Sequence, residues 1–215
     1  MKIELKNVSK TFKNVTVLKD VNLEFENGNV YGLYGRNGSG KSVLLKLICG
    51  FYVPTGGEIL YNGVNLNLKL EFPPNLRALI EKPSFFPDLT GFENLKMLAK
   101  IQNRINDNEI LNAIDVVNLS DEKDKKYCKY SLGMKQKLGI AQAIMENPEI
   151  LILDEPFNGI EQKTVQKLID YLLQEKNNGK IIIISTHIKE DLDKMANKIF
   201  CFDDGKVYEE TSTKK

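Results

Sequence analysis

Polar and apolar residues alternate along residues 2–8, 15–17 and 21–25, the period of two that predicts short strands with one covered face. The next stretch, NVYGLYG at 29–35, reads as a buried strand ending in glycine, and KSVLLKLICGF beyond it has helical periodicity. GEILYNG at 57–63 predicts another strand closing in a turn, whereas 72–87, rich in proline and aromatics, reads as a connection. From about 90 to 146 the period shifts to that of helices, with segments at 94–101, 108–117 and 134–145. Two unbroken aliphatic runs, EILILDEP and KIIIISTH, then flank a helical pattern at 162–176, and a helix near 190–196 leads into KIFCFDDGKVYE. Strands that are aliphatic throughout and alternate with helices need apolar cover on both faces, so the expected fold class is α/β with a parallel-sheet core. An N-terminal antiparallel β lobe precedes that core, and a helical subdomain is inserted into it. The expected organisation is a single domain with lobe and core at 1–83 and 147–215 and the helical subdomain at 84–146; TSTKK at the end reads as frayed.

Composition narrows the function without naming it. The 215 residues are 42% hydrophobic and 27% charged, as in ordinary globular chains, and a net charge of +1 supplies no general field for a polyanion, so no nucleic-acid partner is expected. Cys49, Cys128 and Cys201 lie too far apart for a disulfide framework or a metal motif, which points to a reducing, cytoplasmic setting. The longest aliphatic run, IIII, is far too short to span a bilayer.

Chemistry concentrates in GRNGSGKS. Gly35, four residues, Gly40, Lys41 and Ser42 satisfy GxxxxGK[ST] between a strand and a helix, the context of a phosphate-binding loop. Gly38 and Gly40 let backbone N–H groups converge on phosphates, Lys41 neutralises terminal phosphate charge, and Ser42 is placed to ligate Mg²⁺. Asn37, Ser39 and Val43 complete the expected nucleotide-contacting set. A second metal anchor and a base are expected at Asp154 and Glu155, which end the first aliphatic run; Asp154 would serve Mg²⁺ and Glu155 would polarise the attacking water. No guanine-reading NKxD occurs, and only Arg36, Arg77 and Arg104 are available, against the arginine-rich lid of a nucleotide kinase. Ser131 and Gly133 in YSLGMKQKLGIAQAI precede a predicted helix beginning near Lys135, a second helix N-terminus suited to an anion.

With these motifs in order, the chain resembles the nucleotide-binding subunit of an ABC transporter over nearly its whole length. GRNGSGKS is similar to that family's Walker A, YSLGM to its signature, ILILDEP to Walker B, PFNGIE to the D-loop, and ISTH places His187 at the switch histidine. The resemblance implies an ATPase of P-loop type that binds ATP and Mg²⁺ and works as a head-to-tail pair, homodimer or paired with a close paralogue. Each ATP then lies between one Walker A and the opposite Ser131 and Gly133, with His187 at the γ-phosphate or the water. It also implies that Phe12 stacks on adenine, and that a separate polytopic permease subunit holds the chain at the inner face of the cell membrane.

Three positions depart from the family pattern: Glu81 stands where a glutamine is usual and is assigned to catalysis and to metal, Leu132 and Met134 alter the signature, and Glu161 replaces an aspartate. The glutamate with YSLGMKQKLGIA is similar to the branch serving bacitracin-like and lantibiotic peptides, which implies an exporter of antimicrobial peptide. Phe85 and Phe86 are the expected contacts for the permease. Alternative functions are a soluble ATP-gated clamp on nucleic acid or ribosome, which usually carries coiled coils or basic arms, and a regulatory module that binds ATP without turnover.

Overall fold

A computed structural model describes residues 1–66 and 71–210; the expected fray at the C-terminus lies outside the described residues. Strands β1 (Lys2–Phe12) and β2 (Val15–Glu26) form one long antiparallel hairpin. The sequence pattern broke this hairpin into three short strands because the register shifts at Val8, Lys10 and Thr11 interrupt the strict alternation. β4 (Gly56–Tyr61) pairs with the other edge of β1, completing a three-stranded lobe in the order β2-β1-β4.

The main sheet runs β5-β6-β7-β3-β8-β9, with β3 at Asn29–Tyr34, β5 at Leu76–Leu79, β6 at Ile150–Asp154, β7 at Ile181–Thr186, β8 at Lys198–Asp203 and β9 at Lys206–Glu209. All neighbours are parallel except the terminal β8–β9 hairpin. β5 corrects the expectation that 72–87 is only a connection: four residues between prolines carry too little pattern to read as a strand, and the pairing of Leu76–Leu79 with Ile150–Leu153 makes it one.

The aliphatic runs are explained by their two faces. Leu151 and Leu153 of β6 and Ile182 and Ile184 of β7 join one cluster, with α5 (Gln162–Asn177) and the helices α2 (Gly91–Gln102), α3 (Asp107–Val116) and α4 (Leu132–Ile144). Ile150, Ile152, Ile181 and Ile183 face a second cluster with the β lobe and α1 (Lys41–Ile48). At roughly 25 cal/mol per Å² of apolar surface, burial on both sides of these strands is the main force holding them. A short helix, α6 (Lys189–Asp193), packs on β7 beyond the strand. The C-terminal ends of β3, β6 and β7 therefore lie side by side in the centre of the sheet, where a parallel α/β fold opens its ligand crevice.

Candidate nucleotide site

Each of those three strand ends delivers a different group. β3 runs into the glycine loop, where Gly38 (φ 80°) and Gly40 (φ 105°) adopt the left-handed conformation that side chains resist. Gly40 then serves as the N-cap of α1 without any side-chain hydrogen bond, and no acidic residue stands in the helix's first turn. The N–H groups of that end are left for an incoming anion. Lys41 is buried, and its ammonium donates to the carbonyls of Gly35 (2.7 Å) and Arg36 (3.2 Å). Burial lowers its pKa, against the opposing pull of Glu155 and Asp154.

β6 delivers Asp154 and Glu155. The Ser42 hydroxyl donates to Asp154 Oδ2 at 2.6 Å, and the fully buried Ser185 hydroxyl of β7 donates to Oδ1. Glu155 sits at φ 49°, a strained conformation for a non-glycine residue, and is held there because its N–H reaches Ser185 O at 3.0 Å. Its carboxylate lies 3.8 Å from Lys41 Nζ and accepts from His187 Nδ1 at 2.8 Å. Asn158 Nδ2 reaches the same oxygen as His187 at 3.4 Å. The other oxygen, Oε1, is buried without a hydrogen-bond partner among the described residues, as is Ser39 Oγ. Glu155 Oε1, beside the desolvated Lys41, and Ser39 Oγ, in the glycine loop, are buried polar groups that a phosphorylated ligand and its water would satisfy.

A cavity of about 610 Å³ joins Lys41, Ser42, Asp154, Glu155 and Asn158; His187 does not line it and meets the site through its bond to Glu155. Asn37, Gly38, Gly40, Lys41, Ser42 and Val43 form its floor, Asp154, Glu155, Asn158 and Gly159 one wall, Glu81 and Lys82 another, and Leu132 and Gln136 of α4 the far side. Gly35 and Ser39 line an adjoining cavity that shares Val17, Asn37 and Gly38. Among the described residues no group of three or more histidines, cysteines or carboxylates forms a ready metal cage. Ser42 and Asp154 fit a hard cation that takes its remaining ligands from phosphate and water.

Phe12, Ser131 and Gly133 lie outside this cavity's lining. Phe12 packs edge-on to Tyr52 at 5.3 Å, with Lys10 5.0 Å from its ring centroid, and remains partly exposed. α4 starts at Leu132 rather than near Lys135, so Ser131 is its N-cap, accepting from Met134 N–H at 3.2 Å, and Gly133 belongs to the first turn. The exposed Leu132, not Ser131 or Gly133, is the residue of this turn that lines the cavity. A Cβ at Gly133 would stand 2.4 Å from the Gly159 carbonyl oxygen, which accounts for glycine there.

The departures have local partners. Glu81, just past β5 at φ 66°, is ion-paired with Lys46 of α1. Glu161 meets Lys137 of α4 at 2.7 Å, and this pairing holds its pKa down, so the extra methylene is spent reaching the signature helix. Ser185, Gln136 and Lys46 were not read from sequence as site residues. Gln136 donates to the Glu155 carbonyl at 3.2 Å, and its place four residues after Leu132, on one helix face, was the available signal. Of the aromatic pair, Phe86 is exposed while Phe85 packs against Tyr127 at 5.3 Å. None of the helices among the described residues is long and apolar enough to cross a membrane.

The family model described as ABC transporter matches residues 18–158. The chain is 47% identical to the ABC transporter ATP-binding protein YybJ of Bacillus subtilis (strain 168), over 88% of this chain and 87% of that protein. It is 38% identical to the bacitracin transport ATP-binding protein BcrA of Enterococcus faecalis, covering 98% of this chain and 69% of the relative. The lantibiotic transport ATP-binding protein SrtF of Streptococcus pyogenes is 32% identical over 95% and 88%. Among solved structures, the dimeric MJ0796 bacterial ABC transporter cassette superposes with a TM-score of 0.88 at 27% identity, covering 97% of this chain and 98% of that one. A post-hydrolysis dimer of the same cassette, bound to ADP and Pi, gives 0.86 at 26% identity, over 97% and 98%.

Proposed function

Because the chain belongs to the ABC transporter family as an ATP-binding subunit, we propose that it hydrolyses MgATP to drive a separate polytopic permease exporting antimicrobial peptides or similar amphipathic compounds. The observation that carries the ATPase reading is the convergence of Lys41, Ser42, Asp154 and Glu155 on one crevice, with His187 bonded to Glu155 from outside its lining. The peptide class is supported by the likeness to BcrA and SrtF.

In this reading the N–H groups of the glycine loop and Lys41 bind the β- and γ-phosphates. Ser42, Asp154 and Glu81 would hold Mg²⁺, which supplies neutralisation of phosphate charge when bound. Glu155 takes the proton of the attacking water, and His187, bonded to the carboxylate, orients it toward the terminal phosphate. Phe12, though outside the cavity lining, is the proposed aromatic face for adenine. The chain pairs head to tail with a second copy or a close paralogue, and Ser131 and Gly133 of each close over the other's γ-phosphate. Release of phosphate removes that bridge and lets the pair open.

The exposed Phe86 is the proposed permease contact, and the chain sits at the cytoplasmic membrane face through that partner. The test is purification of tagged Glu155→Gln protein with ATP from gently solubilised cells. A stoichiometric polytopic membrane protein is expected; recovery with nucleic acid, or alone, would overturn the transporter reading.

A further inference from the structure

Glu81, Asp154 and Glu155 all line the same cavity, so three carboxylates face a space proposed to receive a polyanion. Two of them are answered within the site: Glu155 by Lys41 at 3.8 Å and His187 at 2.8 Å, Asp154 by the hydroxyls of Ser42 and Ser185. The third is answered by Lys46, which like His187 and Ser185 lies outside the cavity lining, five positions beyond Lys41 on the helix that the glycine loop starts. The Lys46 side chain is 21% exposed and that of Glu81 66%, so the lysine is the anchored member of the pair. Its ammonium also lies 5.6 Å from the centroid of the Tyr52 ring, which fixes its direction, and the contact with Glu81 raises its pKa. Glu81 itself occupies the left-handed region, a conformation that its surroundings must hold.

We infer that Lys46 is a positioning residue: it neutralises Glu81 and holds that carboxylate at the rim of the nucleotide cavity, so that a negative side chain is tolerated beside bound phosphates. The inference rests on the proposed place of Glu81 in the nucleotide site. Its consequence is conditional: Lys46 matters only while residue 81 is charged.

The full chain tests this as a cycle of Lys46→Met, Lys46→Arg, Glu81→Gln and the Lys46→Met/Glu81→Gln double variant. For ATPase kcat/KM, Lys46→Met is expected to cost about tenfold with Glu81 present and less than about twofold with Gln at 81, while Lys46→Arg stays within about threefold. Calorimetry of ATP without Mg²⁺ supplies a readout independent of turnover. The unpaired carboxylate should weaken binding about tenfold in Lys46→Met, and the double variant should regain it. Equal losses in both backgrounds, or no loss beside Glu81, would overturn the inference. Glu81→Gln behaving as wild type in hydrolysis, with the Lys46 loss still conditional on Glu81, would instead sink the proposed catalytic place of Glu81 and leave the charge pairing standing.

Discussion

Two helices begin beside the nucleotide cavity, α1 from Gly40 without a side-chain cap and α4 from Ser131 with one. At α1 the donors of the first turn have been left free, Lys41 is buried beside them, and the surrounding groups are bonded to one another across β3, β6 and β7. At α4 the cap is filled by the chain's own serine, and the residue that faces the cavity is an exposed leucine. Both ends suit an anion by their helix dipoles, yet only the first is organised for one in a single chain. The second must exchange an internal hydrogen bond for an external one. This asymmetry is what a site shared between two copies requires.

The contrast can be broken at the chemistry, at the first helix and at the second. The largest effect is expected from Glu155→Gln: turnover should fall by roughly 10²–10⁴ while ATP affinity stays near wild type, as steady-state phosphate release and calorimetry would show. Next comes Lys41→Ala, which removes charge-assisted bonds on the α1 side and should weaken ATP binding by about a hundredfold in calorimetry. Gly133→Ala acts from the α4 side. The added methyl meets Gly159 O at 2.4 Å, so the first turn must shift, and ATP-dependent self-association should weaken about tenfold with binding to the single chain unchanged.

The smallest effects have opposite signs and sharpen the comparison. Ser131→Ala loses a cap worth about 1 kcal/mol and should lower the melting temperature of the ATP-free protein by about 2–4 °C. Lys41→Met relieves a buried charge that is held ready for a ligand, and should raise that temperature by a similar ~2–4 °C. Differential scanning fluorimetry without nucleotide reads both.

Much of the α1 side was legible because its chemistry is local. The glycines, Lys41 and Ser42 are consecutive, and Asp154 with Glu155 ends a run so aliphatic that only a strand covered on both faces explains it. What escaped was set by distant pairing. β5 exists because β6 lies beside it, and without that strand the rim position of Glu81 had no basis in the local pattern. Ser185 reads as one more residue in IIIIST, and its role appears only when β7 brings it to Asp154, 31 positions away. The start of α4 was misplaced because Gly133 is a weak helix signal, and the Ser131 cap outweighs it.

In the proposed function ATP completes its site between two copies. Sedimentation of Glu155→Gln protein with and without MgATP tests this directly. A monomer is expected without nucleotide, and a species of twice that mass when ATP is bound. ATP bound stoichiometrically to a chain that remains monomeric across micromolar to millimolar protein would contradict it.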